Sequence, residues 1–163
     1  MTTFLDRPRE ERALFNPAFI ALLLHAAVRG HAERANGRAI SIGFLYLIPP
    51  LALHQETREL LPATVASSMP LWIREHPGAL VGLGDRVSAL RPLVSDACCF
   101  ALRSGLLLSA PSGMTAGRLP KRPSGSVTSE EVDRCISRST FLGRWFAGQP
   151  DMTTALAFWG LRT

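Results

Sequence analysis

The sequence has one lysine, three cysteines and no hydrophobic run long enough to cross a bilayer. Seventeen arginines accompany that lysine, and 13 acidic residues leave a formal net charge of +5 over 163 residues. The best candidate for a membrane segment, the uncharged run at residues 39–53, contains two prolines and is 15 residues long, whereas a membrane-spanning helix needs about 20 apolar residues. We therefore predict no membrane segment and interpret this run as part of the core.

Cysteine content and the first residues of the chain bear on its cellular compartment. The cysteines, Cys98, Cys99 and Cys135, are odd in number and two of them are adjacent, which does not suit a disulfide framework. We predict free, largely buried thiols in a reducing cytoplasm. The first 16 residues mix arginines with acidic residues, so we expect no secretory leader.

The sequence also lacks complete catalytic and cofactor-binding motifs. Residues 82–87 begin like a dinucleotide-binding loop but lack its third glycine, and no Gly-x-Ser-x-Gly motif occurs. The four histidines do not have zinc-ligand spacing; they are His25, His31, His54 and His76. We predict that the chain is not an enzyme and holds no cofactor or metal. A small hydrolase that uses a thiol or a histidine stays an alternative, which covalent labelling of Cys98 would test.

The apolar share of 47% excludes wholesale disorder, and the pattern predicts mostly helices. Asn16-Pro17 is a helix start signal, and Asn36-Gly37 suits a helix end. We predict that residues 40–53 form a buried helical element broken or restarted at Pro49-Pro50, although a strand stays open. Further helices are predicted around residues 57–61, 68–75 and 79–90.

The second half of the chain predicts a β-hairpin between two helices. Ser95-Asp96 is interpreted as the cap of a helix that ends at Gly105. Strands are expected at residues 106–110 and 114–119, and a capping box at residues 128–131 predicts the last long helix. This order is typical of a winged-helix unit. We therefore predict a mostly α fold with a small β-hairpin, a winged-helix-like α+β single domain over residues 16–163 that follows an N-terminal arm at residues 1–15.

The excess positive charge lies late in the chain. Residues 1–100 hold ten arginines and nine acidic residues, whereas residues 101–163 hold eight cations and four acidic residues. No acidic residue occurs between Asp96 and Glu130. Arg118, Lys121 and Arg122 follow the predicted hairpin and are possible nucleic-acid contacts. The same residues could equally contact an acidic protein surface.

Two further sets of residues are candidates for a protein interface. Aromatic residues crowd the C-terminal end, and they exceed what one small core requires, which indicates partial cover by a partner. His25 and Arg29 lie one turn apart on one predicted face of the first helix. The protein-interface candidates are His25, Arg29, Phe141, Trp145, Phe158 and Trp159.

Five short strings, taken in order, resemble a known family of small bacterial proteins. They lie at residues 15–19, 50–54, 72–77, 141–146 and 158–162. The chain resembles the middle component of three-component ABC systems over about residues 10–163. The resemblance implies a non-catalytic adaptor that works beside an SMC/Rad50-like ABC ATPase and an effector, in defence against phage or plasmids.

Analogy with the small winged-helix subunits of SMC complexes implies that such an adaptor binds the ATPase or the effector and transmits its state. The alternative is a stand-alone winged-helix DNA-binding regulator that uses the basic segment at residues 118–122. The resemblance supplies no catalytic residue for either hypothesis.

Overall fold

The computed structural model describes residues 16–121, 125 and 128–161. The predicted arm at residues 1–15 and Arg122 lie outside the described residues. The helices are α1 (Pro17–Arg34), α2 (Ile42–Leu45), α3 (Ile48–Leu53), α4 (Gln55–Leu60), α5 (Met69–Glu75), α6 (Leu83–Arg103), α7 (Glu130–Ala147) and α8 (Met152–Phe158). A 3-10 turn at Pro77–Leu80 precedes α6, and β1 (Leu107–Ala110) and β2 (Gly113–Ala116) form a hairpin. The predicted class, mostly helical with a small hairpin, is confirmed.

Helix α1 is the central element of the fold. The Asn16 side chain caps its start by accepting a hydrogen bond from the Ala18 N–H at 2.9 Å. It packs most extensively against α7, and next most extensively against α6. A Cβ at Gly143 of α7 would collide with the backbone carbonyl of Ala27 in α1. The two helix backbones therefore approach each other more closely than any residue with a side chain allows at that point.

The apolar run predicted to be helical at residues 40–53 is helical at Ile42–Leu45 and Ile48–Leu53, whereas Ile40 lies in a β-bridge. Helices α2 and α3 are separated by a short turn, and Pro49 and Pro50 lie in the first turn of α3. Proline is tolerated there because the first N–H groups of a helix have no intrahelical partner. Both prolines are buried, so this segment contributes to the core on most of its sides.

The predicted helix start at Ser95 is wrong. Helix α6 runs without a break from Leu83 to Arg103 and includes Pro92 in its interior. The Ser95 hydroxyl donates to the Arg91 carbonyl at 3.0 Å, one turn earlier in the same helix. A serine can satisfy its hydroxyl in this way inside a helix, so the Ser-Asp pair did not mark a boundary.

The hairpin follows α6 after a left-handed residue at Gly105. Its antiparallel register pairs Leu107 with Ala116 and Ser109 with Met114. Ile40, which lies between α1 and α2, forms a bridge to Met114 on the other side of β2. This order of elements is compatible with a winged-helix arrangement.

The C-terminal part is helical and packed. Ser129 caps α7 by accepting from the Val132 N–H at 3.2 Å, and Asp151 caps α8 by accepting from the Thr154 N–H at 2.8 Å. One hydrophobic cluster joins residues of both strands and of every described helix except α4. No described helix has both the length and the hydrophobicity that crossing a bilayer requires.

Candidate interaction surface

The two C-terminal tryptophans lie in the core. Trp145 and Trp159 are 1% and 2% exposed. Together with Trp72 of α5 they form a cluster in which the ring centroids are 5.5 to 6.2 Å apart. The Trp145 indole donates to the Ser67 carbonyl at 2.7 Å. Two of the predicted interface residues are therefore covered by the chain itself.

The two phenylalanines of that prediction are more accessible. Phe141 is half-buried, and the guanidinium of Arg138 lies 5.5 Å from its ring centroid. Phe158, near the end of α8, is 36% exposed. Sequence reasoning did not place Trp72 in this aromatic cluster, because its neighbours come from helices that are distant in the sequence.

The predicted face of His25 and Arg29 is split between the interior and the surface. His25 is buried, and its Nε2 lies 3.0 Å from the Gly117 carbonyl oxygen just beyond β2. The Arg29 side chain is 55% exposed, and its Nε lies 3.7 Å from a Glu33 carboxylate oxygen. Glu33 also accepts a hydrogen bond from the Nε of Arg144 at 2.9 Å. The central position of α1 explains the split, because neighbouring elements cover it on most sides.

The basic segment after the hairpin is at the surface. Arg118 and Lys121 are exposed, as is Arg103 at the end of α6. The base of the hairpin is fixed by the Gly117 N–H, which donates to the Leu106 carbonyl at 2.8 Å. Arg103 precedes β1, and Arg118 and Lys121 follow β2. Three cations therefore lie on the chain segments that enter and leave the hairpin, in a stretch of sequence without an acidic residue.

Exposed apolar side chains concentrate in the same stretch. Among the described residues nine large hydrophobic side chains are exposed, and four of them fall within residues 100–119. They are Phe100, Leu102, Leu108 and Leu119, at 38%, 37%, 51% and 42% exposure. Contiguous exposed apolar patches mark interaction sites; Leu108 and Leu119 belong to the hairpin region itself, whereas Phe100 and Leu102 precede it in α6. We use the term hairpin surface for these four residues together with Arg103, Arg118 and Lys121.

Sequence reasoning missed a buried arginine between α4 and α7. The Arg58 side chain is 3% exposed and forms an ion pair with Glu131. It also donates to the Ala52 carbonyl at 2.8 Å and lies 3.4 Å from the sulfur of Cys135. A short polar helix gives no signal that one of its arginines will be buried, because its partners come from other parts of the chain.

Two of the three thiols, those of Cys98 and Cys135, are buried, whereas Cys99 is exposed. Burial, with a smaller contribution from Cys99, raises the pKa of Cys98 to about 11, which keeps its thiol protonated at neutral pH. Burial also raises the pKa of Cys135. Among the residues that the structure describes, no three His, Cys, Asp or Glu side chains are grouped so that they could hold a metal ion.

Comparison with known proteins gives one family. The family model for ABC-three component (ABC-3C) system Middle Component 3 matches residues 5–163. Neither a curated protein nor a solved structure matches the chain at a significant level.

Proposed function

The chain belongs to the family of middle component 3 of ABC-three component systems, and from this premise we propose that it is a non-catalytic adaptor subunit. In this proposal it works in the cytoplasm and links an SMC/Rad50-like ABC ATPase to an effector subunit. The purpose of the system is defence against phage or plasmids. Membership of a family of multi-component systems supports the presence of further subunits.

The observation that supports an adaptor role most directly is the hairpin surface. Four exposed apolar side chains lie in a segment that carries only cations and no acidic residue. Covering apolar area gains roughly 25 cal/mol per Å², and the flanking cations favour a partner surface of negative charge. Phe158 and Arg29 are exposed as well, so each could contact a further subunit.

The proposal is tested by co-expression of the chain with the ATPase and the effector subunits of its own system. We expect the three proteins to elute together in size-exclusion chromatography. Replacing Leu108 by aspartate places a charge in the hairpin surface, and we expect the affinity for the bound subunit to fall by about tenfold or more.

Val81→Asp is the matched control for that substitution. Val81 is 73% exposed and lies outside the hairpin surface, so the same chemical change should leave the complex intact. If neither the ATPase nor the effector binds the unaltered chain, the adaptor proposal is wrong. Equal losses for both variants would show that the hairpin surface has no special role.

Arg118 and Lys121 are exposed and could reach a phosphate backbone, so the DNA-binding alternative is tested as well. Their charges suit phosphate, but the exposed Leu119 that lies between them in the sequence does not, so we expect no mobility shift of duplex DNA by the isolated chain. Salt-dependent DNA binding that is lost when Arg118 and Lys121 are replaced by glutamine would favour a regulator. Binding only in the presence of the ATPase would place a DNA contact in the complex.

A further inference from the structure

Strand β1 has one edge that faces away from the rest of the hairpin. The Met114 N–H and C=O are both bonded to Ile40, each at 2.9 Å, so they are not used toward β1. Ser109 lies opposite Met114 in the antiparallel register. In such a non-hydrogen-bonded pair the backbone groups of both residues point away from each other. The N–H and C=O of Ser109 therefore point to the outer edge of β1.

This outer edge is open within the part of the chain that the structure describes. The sheet there has two strands, in the order β1-β2, and no described residue is hydrogen-bonded to the backbone of Ser109. Ser109 is exposed, and Leu108 beside it is 51% exposed. A charged residue or a proline in the strand is among the features that protect an open edge. The sequence of β1, Leu-Leu-Ser-Ala, contains neither.

We propose that this edge accepts an extended acidic segment of a partner subunit as an additional strand. Backbone hydrogen bonds to Ser109 would provide the pairing, and an apolar side chain of the segment would cover Leu108. The absence of acidic residues from the stretch between Asp96 and Glu130, together with exposed Arg103 and Arg118, selects negative charge in the segment. The proposal rests on the adaptor function and specifies how one subunit is held.

Ser109→Pro is the variant that tests strand addition. Proline removes the outward-pointing N–H of Ser109, and it is compatible with an edge strand where that N–H faces solvent. The β1-β2 ladder uses other residues and is retained. Ser109→Ala is the matched control, because it removes the hydroxyl but keeps the backbone donor. Thermal unfolding followed by circular dichroism establishes that both variants are folded.

The measurements are the dissociation constants of the complexes with the ATPase subunit and with the effector subunit, and hydrogen exchange of the Ser109 amide. We expect Ser109→Pro to weaken one complex by about tenfold or more, Ser109→Ala to leave it unchanged, and the Ser109 amide to be protected in that complex. Arg118→Glu should weaken the same complex, most clearly at low salt.

Three results would overturn the proposal, and they differ in what they say about the adaptor function. Wild-type affinity of a folded Ser109→Pro variant, with no protection of the Ser109 amide, excludes strand addition and leaves the adaptor function standing. A homodimer of the isolated chain that Ser109→Pro dissociates assigns the edge to a second copy. Failure of both subunits to bind the unaltered chain refutes both proposals.

Discussion

At the scale of single residues, Arg58 is a charged side chain buried in the protein interior. Its guanidinium satisfies the carbonyl of Ala52 at the end of α3 and pairs with Glu131 near the start of α7. A buried arginine is tolerated only when its donors are bonded, because an unpaired buried charge costs several kcal/mol. Arg58 therefore connects three helices through polar contacts inside the fold.

Replacing Arg58 by alanine should lower the free energy of unfolding by about 2–3 kcal/mol, because it leaves the Ala52 carbonyl without its buried donor. The measurement is urea denaturation. Arg134→Ala is the control, since Arg134 forms a surface ion pair with Glu130 and its loss should not change the midpoint measurably. Equal effects of the two substitutions would contradict the structural role of Arg58.

Two histidines couple the stability of the chain to pH. Burial lowers the pKa of His31, and burial together with the charge of Arg86 lowers the pKa of His54. The His54 Nδ1 accepts a hydrogen bond from the Thr57 N–H at 3.3 Å and so caps α4. Protonation of that nitrogen removes the acceptor.

Stability should therefore fall as the pH is lowered. Below about pH 6.5, the ordinary pKa of histidine, His31 and His54 bind protons in the unfolded chain more readily than in the folded chain. The stability that the two neutral histidines contribute is complete above that pH, and it is lost as the pH falls through their lower pKa in the folded chain. His54→Asn keeps a capping acceptor without a titrating group, so urea denaturation between pH 8 and pH 5 should show a shallower decline for this variant. An unchanged decline would refute the role of His54.

At the scale of elements, the close contact of α1 and α7 depends on glycine. Gly143 of α7 faces the Ala27 carbonyl of α1, and Gly30 of α1 faces the Thr140 carbonyl of α7. An added Cβ at either position would meet backbone, which cannot rotate away as a flexible side chain does. The close approach of α1 and α7 therefore depends on Gly30 and Gly143, which have no side chains.

Gly143→Ala should destabilise the fold by about 1–3 kcal/mol or more, because the helices must move apart to admit the methyl group. Gly84→Ala is the matched control: no atom lies within 4 Å of its added Cβ, and alanine in a helix should raise stability by about 0.5–1 kcal/mol. Thermal melts of the two variants should shift in opposite directions. Shifts in the same direction would contradict this packing.

At the scale of the whole molecule, one hydrophobic cluster connects almost every element. Helices from both halves of the chain and both strands contribute to it, so no part of the described chain has a core of its own. Three tryptophans, Trp72, Trp145 and Trp159, lie together in this cluster. Their fluorescence therefore reports on packing that involves α5, α7 and the residues after α8.

We expect a single cooperative unfolding transition. Because the tryptophans share the common core, the transition followed by their fluorescence should coincide with the loss of helix followed by circular dichroism at 222 nm. A fluorescence transition that clearly precedes the loss of helix would show that the C-terminal part unfolds separately.

The local signals were reliable where they depend on neighbouring residues. Asn16, Ser129 and the Pro49-Pro50 pair marked helix starts, because capping and proline geometry act over a few residues. The same reasoning failed at Ser95, whose hydroxyl bonds within a helix that continues through it. Nothing local distinguishes a serine that caps a helix from one that lies inside it.

The candidate site depended on contacts that no local pattern records. His25 and Trp145 were predicted at an interface and are buried, because α1 and α7 pack against each other and against elements from elsewhere in the chain. The open edge at Ser109 became visible only through the pairing of Ile40 with Met114, which are 74 residues apart. Such positions follow from packing, which no periodicity along the chain encodes.

The sequence by itself determined the helical class, the hairpin, the basic character of residues 101–163 and the resemblance to the family. These properties depend on composition and on residues close to one another in the chain. Only the tertiary structure decided which charged and aromatic side chains are accessible, because burial depends on elements that meet from distant parts of the chain. Burial covers the C-terminal tryptophans, whereas the residues of the hairpin surface are accessible to a partner.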